Sequence, residues 1–239
     1  MIGFAGYVHL VLFCLVLPWA AVRRARVMAS LPYPPRKKLF YSVLIQHSIF
    51  IVYTLLTARF EGIDLFTLPH GAVKSLLMAG GFLVVFIGLM IPQWKRNVLR
   101  RERLVYLFMP RGPGEKSLWI LISAAAGFGE EIIYRGVIWV LLFRLTGSLW
   151  QSALIAALAF AIGHLYQGWK STDVIFFFGL AVHALVWLTG SLIPVMIVHF
   201  VYDLTAGMAY SYFGEKYGYP FEGIAVNAGQ SELQSIGAP

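Results

Sequence analysis

Gly127-Phe128-Gly129-Glu130-Glu131-Ile132-Ile133-Tyr134-Arg135 is the stretch on which the reading of this chain turns. It lies inside an apolar run from Leu118 to Leu142. A run of that length is enough to cross a bilayer as a helix. An ionisable residue in such a span is costly and marks a functional site by default, and here three stand within six residues. On a helix Glu131 and Arg135 are i,i+4 neighbours and can pair. Glu130 points about 100° away from Glu131. A buried structural ion pair therefore accounts for Glu131 and Arg135 and leaves Glu130 without a role.

The rest of the composition agrees with a membrane protein. Of 239 residues, 59% are hydrophobic and 13% charged, with a mean hydropathy of +0.74; soluble domains carry about 25% charged residues. The expected fold is all-α, a polytopic transmembrane helical bundle of about seven spans with a polar active-site cavity among the last four. The spans are expected near residues 2–22, 39–58, 72–92, 118–144, 149–166, 173–188 and 192–212. Three parts follow: residues 1–117 as N-terminal spans and basic loops, 118–212 as the polar core, and 213–239 as a cytoplasmic tail. The single cysteine, Cys14, excludes an intramolecular disulfide and a cysteine metal site, which leaves it a packing role.

The net charge of +8 comes mainly from two loops. Arg23 to Lys38 carries six basic residues and no acidic one, and its Pro32, Pro34 and Pro35 stop any helix. Gln93 to Ser117 carries seven basic residues against Glu102 and Glu115. Arg59 to Gly71 is acidic by comparison. The positive-inside rule makes the basic loops cytoplasmic, the N-terminus external and the C-terminus cytoplasmic. Basic clusters beside apolar spans point to anionic lipid headgroups, not to nucleic acid. Within Trp94 to Leu107 they fit an interfacial helix and a solvated linker equally well.

Seven ionisable residues lie well inside the last four spans: Glu130, Glu131, Arg135, His164, His183, His199 and Asp203. Asp203 follows His199 by four residues, so both leave one helix face. Such groups avoid lipid best by converging on one internal, water-accessible cavity. Two chemistries suit that cavity. A glutamate can activate a water as general base, with a histidine as orienter or acid and further donors on the oxyanion. Alternatively, histidines and carboxylates can hold Zn²⁺, which activates the water. The H-E-x-x-H spacing of the common zinc peptidases is absent. His183, His9, Gln46 and His47 read as packing, helix-contact or hydrogen-bonding residues.

Together, Glu130-Glu131-x-x-x-Arg135, Phe160-x-x-x-His164 and His199-x-x-x-Asp203 resemble the three motifs of the CPBP family. This is the CAAX-protease and bacteriocin-processing family, also called Abi. The resemblance covers about residues 118–210. It implies an intramembrane endopeptidase that hydrolyses a peptide bond of a membrane-associated or lipidated protein or peptide. It implies Glu130 as the base that activates water, with His164 as its partner. His199 and Asp203 would hold the oxyanion or complete the site, and Glu131 and Arg135 would support it. Asp203 stands where eukaryotic relatives often carry Asn, as is common in the bacterial branch. The family is often labelled metalloprotease. The metal-free water mechanism is the preferred expectation; a Zn²⁺ ion, if present, would sit on Glu130, His164 and His199. The implied setting is a bacterial or archaeal plasma membrane. Two other classes compete: a non-catalytic binding or immunity protein, and a proton-coupled transporter. The transporter would show repeated halves with broken helices, and no second copy of the motif helix exists.

Overall fold

The computed structural model describes residues 1–28 and 35–220, and every regular element among them is helical. The order is helix 4–28 (α1), Arg36–Glu61 (α2), Ala72–Leu99 (α3), the short Arg103–Phe108 (α4), Gly112–Thr146 (α5), Leu149–Gly163 (α6), Trp169–Thr189 (α7) and Ile193–Lys216 (α8). The centre of the first basic loop, with Pro32 and Pro34, and the tail from residue 221 lie outside the described residues. The polar core was expected to begin at Leu118; its helix starts at Gly112, with Pro113 in the first turn, where proline is tolerated.

Among the described residues six helices are long and apolar enough to cross a membrane: α1, α2, α3, α5, α7 and α8. The expected fifth span, 149–166, is the exception, a shorter apolar helix. Its helix, α6, has 15 residues, which is about 22 Å at 1.5 Å per residue, against a hydrocarbon core of about 30 Å. It stops at His164, whose backbone bonds back to Ala161 and Ile162 in a tightened last turn. A 3₁₀ turn, Leu165–Gln167, follows, and Gly168 at φ 94° redirects the chain into α7. That left-handed angle suits glycine alone among the residues of the turn.

α5 is the interior helix. Over half of its span window is buried (56%), against 11% for α2 and for α3, whose outer faces present Ile45, Ile49, Leu77, Val84 and Val85. It packs against α2, α6 and α8. Small residues permit the closest approaches. A Cβ on Gly127 would fall 2.5 Å from the Phe200 backbone nitrogen of α8, and one on Gly129 would fall 2.7 Å from Ile51 of α2.

Contacts at the two ends separate them. At one end Arg36 pairs with Glu115 at 2.9 Å, Ser211 donates to the Pro110 carbonyl, and Tyr219 donates to the Glu102 carbonyl. Arg36 and the 93–117 segment, from the two basic loops, therefore share one end of the bundle. At the other end Glu61 accepts from the N–H groups of Gly3 and Gly6 and faces Arg144, and loop residues Thr67 and His70 bond the turn at Thr189 to Ser191.

Two spans contain a wide π turn, a feature often found at functional sites. In α1 it covers Leu12–Val16, just ahead of Pro18, which has no N–H to offer the preceding turn. In α5 it covers Ile132–Ile138 and closes with the Trp139 N–H on the Tyr134 carbonyl. This second turn begins directly after Glu131.

Candidate active site

Glu130 and Glu131 end the regular α-helical part of α5, so they leave it in different directions. Glu131 points inward and is fully buried with Arg135. Arg135 Nη1 donates to Glu131 Oε1 at 3.1 Å, and Nη2 reaches the Gly179 carbonyl of α7 at 3.3 Å. The guanidinium also lies over the Phe160 ring of α6, 4.5 Å from its centroid. One buried cation thus ties α5 to α6 and α7, and Phe160, the first residue of the second motif, is its aromatic floor.

The same Glu131 oxygen accepts a second bond, from His199 Nδ1 of α8 at 2.7 Å. With Arg135 beside it Glu131 is a carboxylate, so Nδ1 carries the hydrogen and Nε2 is the His199 atom left facing the site. Glu131 does more than balance charge on its own helix: it holds Nδ1–H and fixes the orientation of the third-motif histidine.

Glu130 faces the opposite way, into a small group of imidazoles. His164 Nε2 stands 3.7 Å from Oε1, and His199 Nε2 stands 3.8 Å from Oε2. Asp203 Oδ2 is 3.5 Å from His199 Nε2. Glu130 and His164 side chains are slightly exposed (13% and 17%), Asp203 more so (27%), whereas Glu131 and Arg135 are closed off. The His164 ring is set by its place at the end of α6. Helix ends leave carbonyls without partners, and His164 Nδ1 takes that of Phe160 at 2.7 Å. Since a carbonyl only accepts, Nδ1 is the donor and Nε2 points to Glu130. Trp119 holds α8 near the site by donating from Nε1 to the Asp203 carbonyl at 3.1 Å.

All six residues singled out from sequence therefore meet: Glu130, Glu131 and Arg135 from α5, His164 from α6, and His199 and Asp203 from α8. One contact lies outside them. His47 Nε2 of α2 is 3.1 Å from Glu130 Oε1, the shortest contact to that carboxylate. Sequence reading left His47 beside Gln46 as a generic polar residue, and it named His164 as the partner of Glu130. A weak signal existed. Phe40, His47 and Thr54 are seven apart, on one face of α2, whereas Gln46 is exposed. The other histidines are elsewhere. His183 is buried behind Arg135, donating Nδ1–H to the Gly179 carbonyl at 2.8 Å with its ring edge-on to Trp139. His9 is buried between α1 and α2, stacked on Tyr53.

Zinc was the alternative cofactor, on Glu130, His164 and His199. Among the described residues no group of three or more His, Cys, Asp or Glu is arranged to hold a metal ion. As placed, these three do not make a ligand set. The two imidazoles approach opposite oxygens of Glu130, and the oxygen facing His164 already holds a direct hydrogen bond from His47.

Residues 113–205 match the family model described as type II CAAX prenyl endopeptidase Rce1-like. No curated protein and no solved structure matches the chain. The matched segment starts in the first turn of α5 and ends in α8, and it contains all three motifs. Over that segment, which is less than half of the chain, the sequence is similar to the type II CAAX prenyl endopeptidases described by that model.

Proposed function

We propose that this membrane protein hydrolyses a peptide bond in a membrane-associated or lipidated substrate without a metal ion. Glu130 activates the water. The observation that carries this reading is the environment of Glu130: a slightly exposed carboxylate inside an apolar bundle, with Nε2 atoms of His164 and His199 at 3.7 and 3.8 Å. Those gaps exceed direct hydrogen bonds and suit groups that close on a substrate or water.

In the first step Glu130 removes a proton from water, and the water oxygen forms a bond to the scissile carbonyl carbon. Its carbonyl oxygen becomes an oxyanion. His164 orients the water through Nε2, since its Nδ1–H is engaged by Phe160. His199 and Asp203 complete the site on the far side, where the oxyanion forms. An Asp can donate to an oxyanion only when protonated, so His199 is the main donor, acting as the imidazolium: Nδ1–H stays on Glu131 and Nε2–H faces the oxyanion, with Asp203 Oδ2 3.5 Å away. In the second step the C–N bond breaks, the oxyanion returns to a carbonyl, and Glu130 passes its proton to the leaving nitrogen. Glu131 and Arg135 act behind the site by fixing His199.

The basic end of the bundle is assigned to the cytoplasm on the positive-inside rule. Cysteine labelling from either side, in a Cys14→Ser background, tests this orientation; modification of a cysteine at Lys116 from outside would reverse it.

The test of activity uses purified protein in detergent or lipid discs, offered a prenylated CAAX peptide and an unmodified hydrophobic peptide. Cleavage by wild type and none by Glu130→Gln, with unchanged folding, is the expected result. Binding without cleavage by wild type would make this a binding protein instead.

A further inference from the structure

We propose that His47, on α2 and outside the family-matched segment, is a positioning residue of this site that holds one oxygen of Glu130. This inference rests on the reading of Glu130 as the base. Of the three imidazoles facing that carboxylate, only His47 is within direct hydrogen-bond reach, at 3.1 Å from Oε1. Its ring is fixed at both nitrogens. Nδ1 faces the Val43 carbonyl at 2.9 Å, and because a carbonyl only accepts, Nδ1–H is the donor there. The opposite nitrogen, Nε2, therefore meets Oε1 across a contact that needs one proton between them.

Holding Oε1 has a geometric consequence. A glutamate carboxylate turns freely about its last bond unless one oxygen is tethered. With Oε1 held by His47, Oε2 is directed toward His199, the side on which the oxyanion partner Asp203 also lies. The tether fixes how the carboxylate faces its other two imidazoles, Oε1 toward His164 at 3.7 Å and Oε2 toward His199 at 3.8 Å.

The surrounding packing builds this contact. α2 and α5 run in the same direction from a shared end, joined by Arg36 on Glu115 and by Phe40 on Trp119, ring centroids 5.9 Å apart. One turn beyond His47, the Ile51 side chain lies against Gly129, where a Cβ would fall 2.7 Å from it. These contacts hold α2 close enough to α5 for the His47 imidazole to reach Glu130.

The experiment has two independent arms at one fixed pH. In the first, His47→Leu and His47→Gln are compared with wild type and Glu130→Gln in steady-state cleavage. His47→Leu is expected to lower kcat by about 10²-fold, the typical cost of a misplaced catalytic group, with KM little changed. His47→Gln, which can still donate to Oε1, is expected to recover most of the loss. A His47→Leu enzyme with wild-type kcat, or a His47→Gln enzyme no better than His47→Leu, overturns the proposal. The second arm needs no activity. In protein labelled with ¹⁵N-histidine, the His47 Nε2 resonance, assigned by its loss in His47→Gln, is expected to move in Glu130→Gln. A resonance that stays in place overturns the contact. If wild type cleaves nothing, the protease reading fails by itself, and this second arm still decides whether His47 holds Glu130.

Discussion

Glu130 and Glu131 are adjacent in the chain and occupy two different regions. The Glu131 side is closed: two side chains with no exposure, one oxygen shared by Arg135 and His199, a main-chain carbonyl and an aromatic face completing the shell. The Glu130 side is slightly open, and every fixed partner of its carboxylate is an imidazole. A charge pair buried in a low-dielectric medium resists change because removing one partner strands the other. A carboxylate among neutral or shared-proton partners can take up and release protons. On the proposed mechanism the pair Glu-Glu places a rigid anchor and a reactive group one residue apart, and His199 bridges them, held by one and facing the other.

The largest expected effect separates the two sides outright. Glu130→Gln keeps the shape of the side chain and removes its ability to accept a proton, so cleavage should be abolished. Its thermal unfolding should stay close to wild type, because the contacts it loses are to partly exposed groups. Glu131→Gln should do the reverse in proportion. Arg135 would lose its charged partner inside the bundle, a change that typically costs about 3–5 kcal/mol. Its activity should fall because His199 loses its anchor. Cleavage and thermal unfolding measured together on both variants decide the matter. A Glu130→Gln protein that unfolds as early as Glu131→Gln would erase the distinction.

Next in size is Gly127→Leu. Gly127 faces the backbone of Phe200, next to His199, with no space for a Cβ. A side chain there must drive α5 and α8 apart, and overpacking typically costs about 1–3 kcal/mol. The contact from Glu131 to His199 spans those helices, so kcat should fall with stability. Retained activity in a protein that still folds would show that the bridge between the two sides is dispensable.

These effects also show how far the sequence could be read. The helical class and a polar centre of seven ionisable residues follow from charge in apolar runs, because lipid makes each such residue expensive wherever it lies; the motif resemblance set six of them apart from His183. His47 escaped that logic. It lies on the second span, apart from the last four spans in which the ionisable residues cluster, and only the packing of α2 on α5 aims it at Glu130. The length of α6 escaped for a related reason. Hydropathy runs on through Leu165 and Tyr166, but the helix ends where His164 turns its ring onto its own last carbonyls. The double duty of Glu131 was also hidden, since spacing reveals a partner on the same helix and not one on α8.

The smallest effect on catalysis is expected at the far end, and it sharpens the comparison by supplying a third carboxylate. Glu61 is nearly as buried as Glu131, with its side chain 4% exposed. It accepts from Gly3 N–H at 3.0 Å and Gly6 N–H at 2.7 Å, where it meets the first turn of α1, and it faces Arg144 Nη1 at 3.6 Å. Arg144 also donates to the Glu61 carbonyl at 3.0 Å. These bonds tie α1, α2 and the end of α5 together. Glu61→Gln keeps an acceptor for one glycine and weakens the rest, and hydrogen bonds to charged groups are each worth about 1.5–3 kcal/mol. Thermal unfolding should therefore fall measurably. Cleavage should not, because Arg144 lies thirteen residues beyond Glu131 on α5, about 20 Å along the axis. The decisive measurement is the ratio of kcat loss to stability loss in Glu61→Gln and Glu131→Gln at the same temperature. Equal ratios would mean that activity follows bundle stability wherever it is lost. A loss of kcat confined to Glu131→Gln would mean that its buried charge acts on the chemistry through His199.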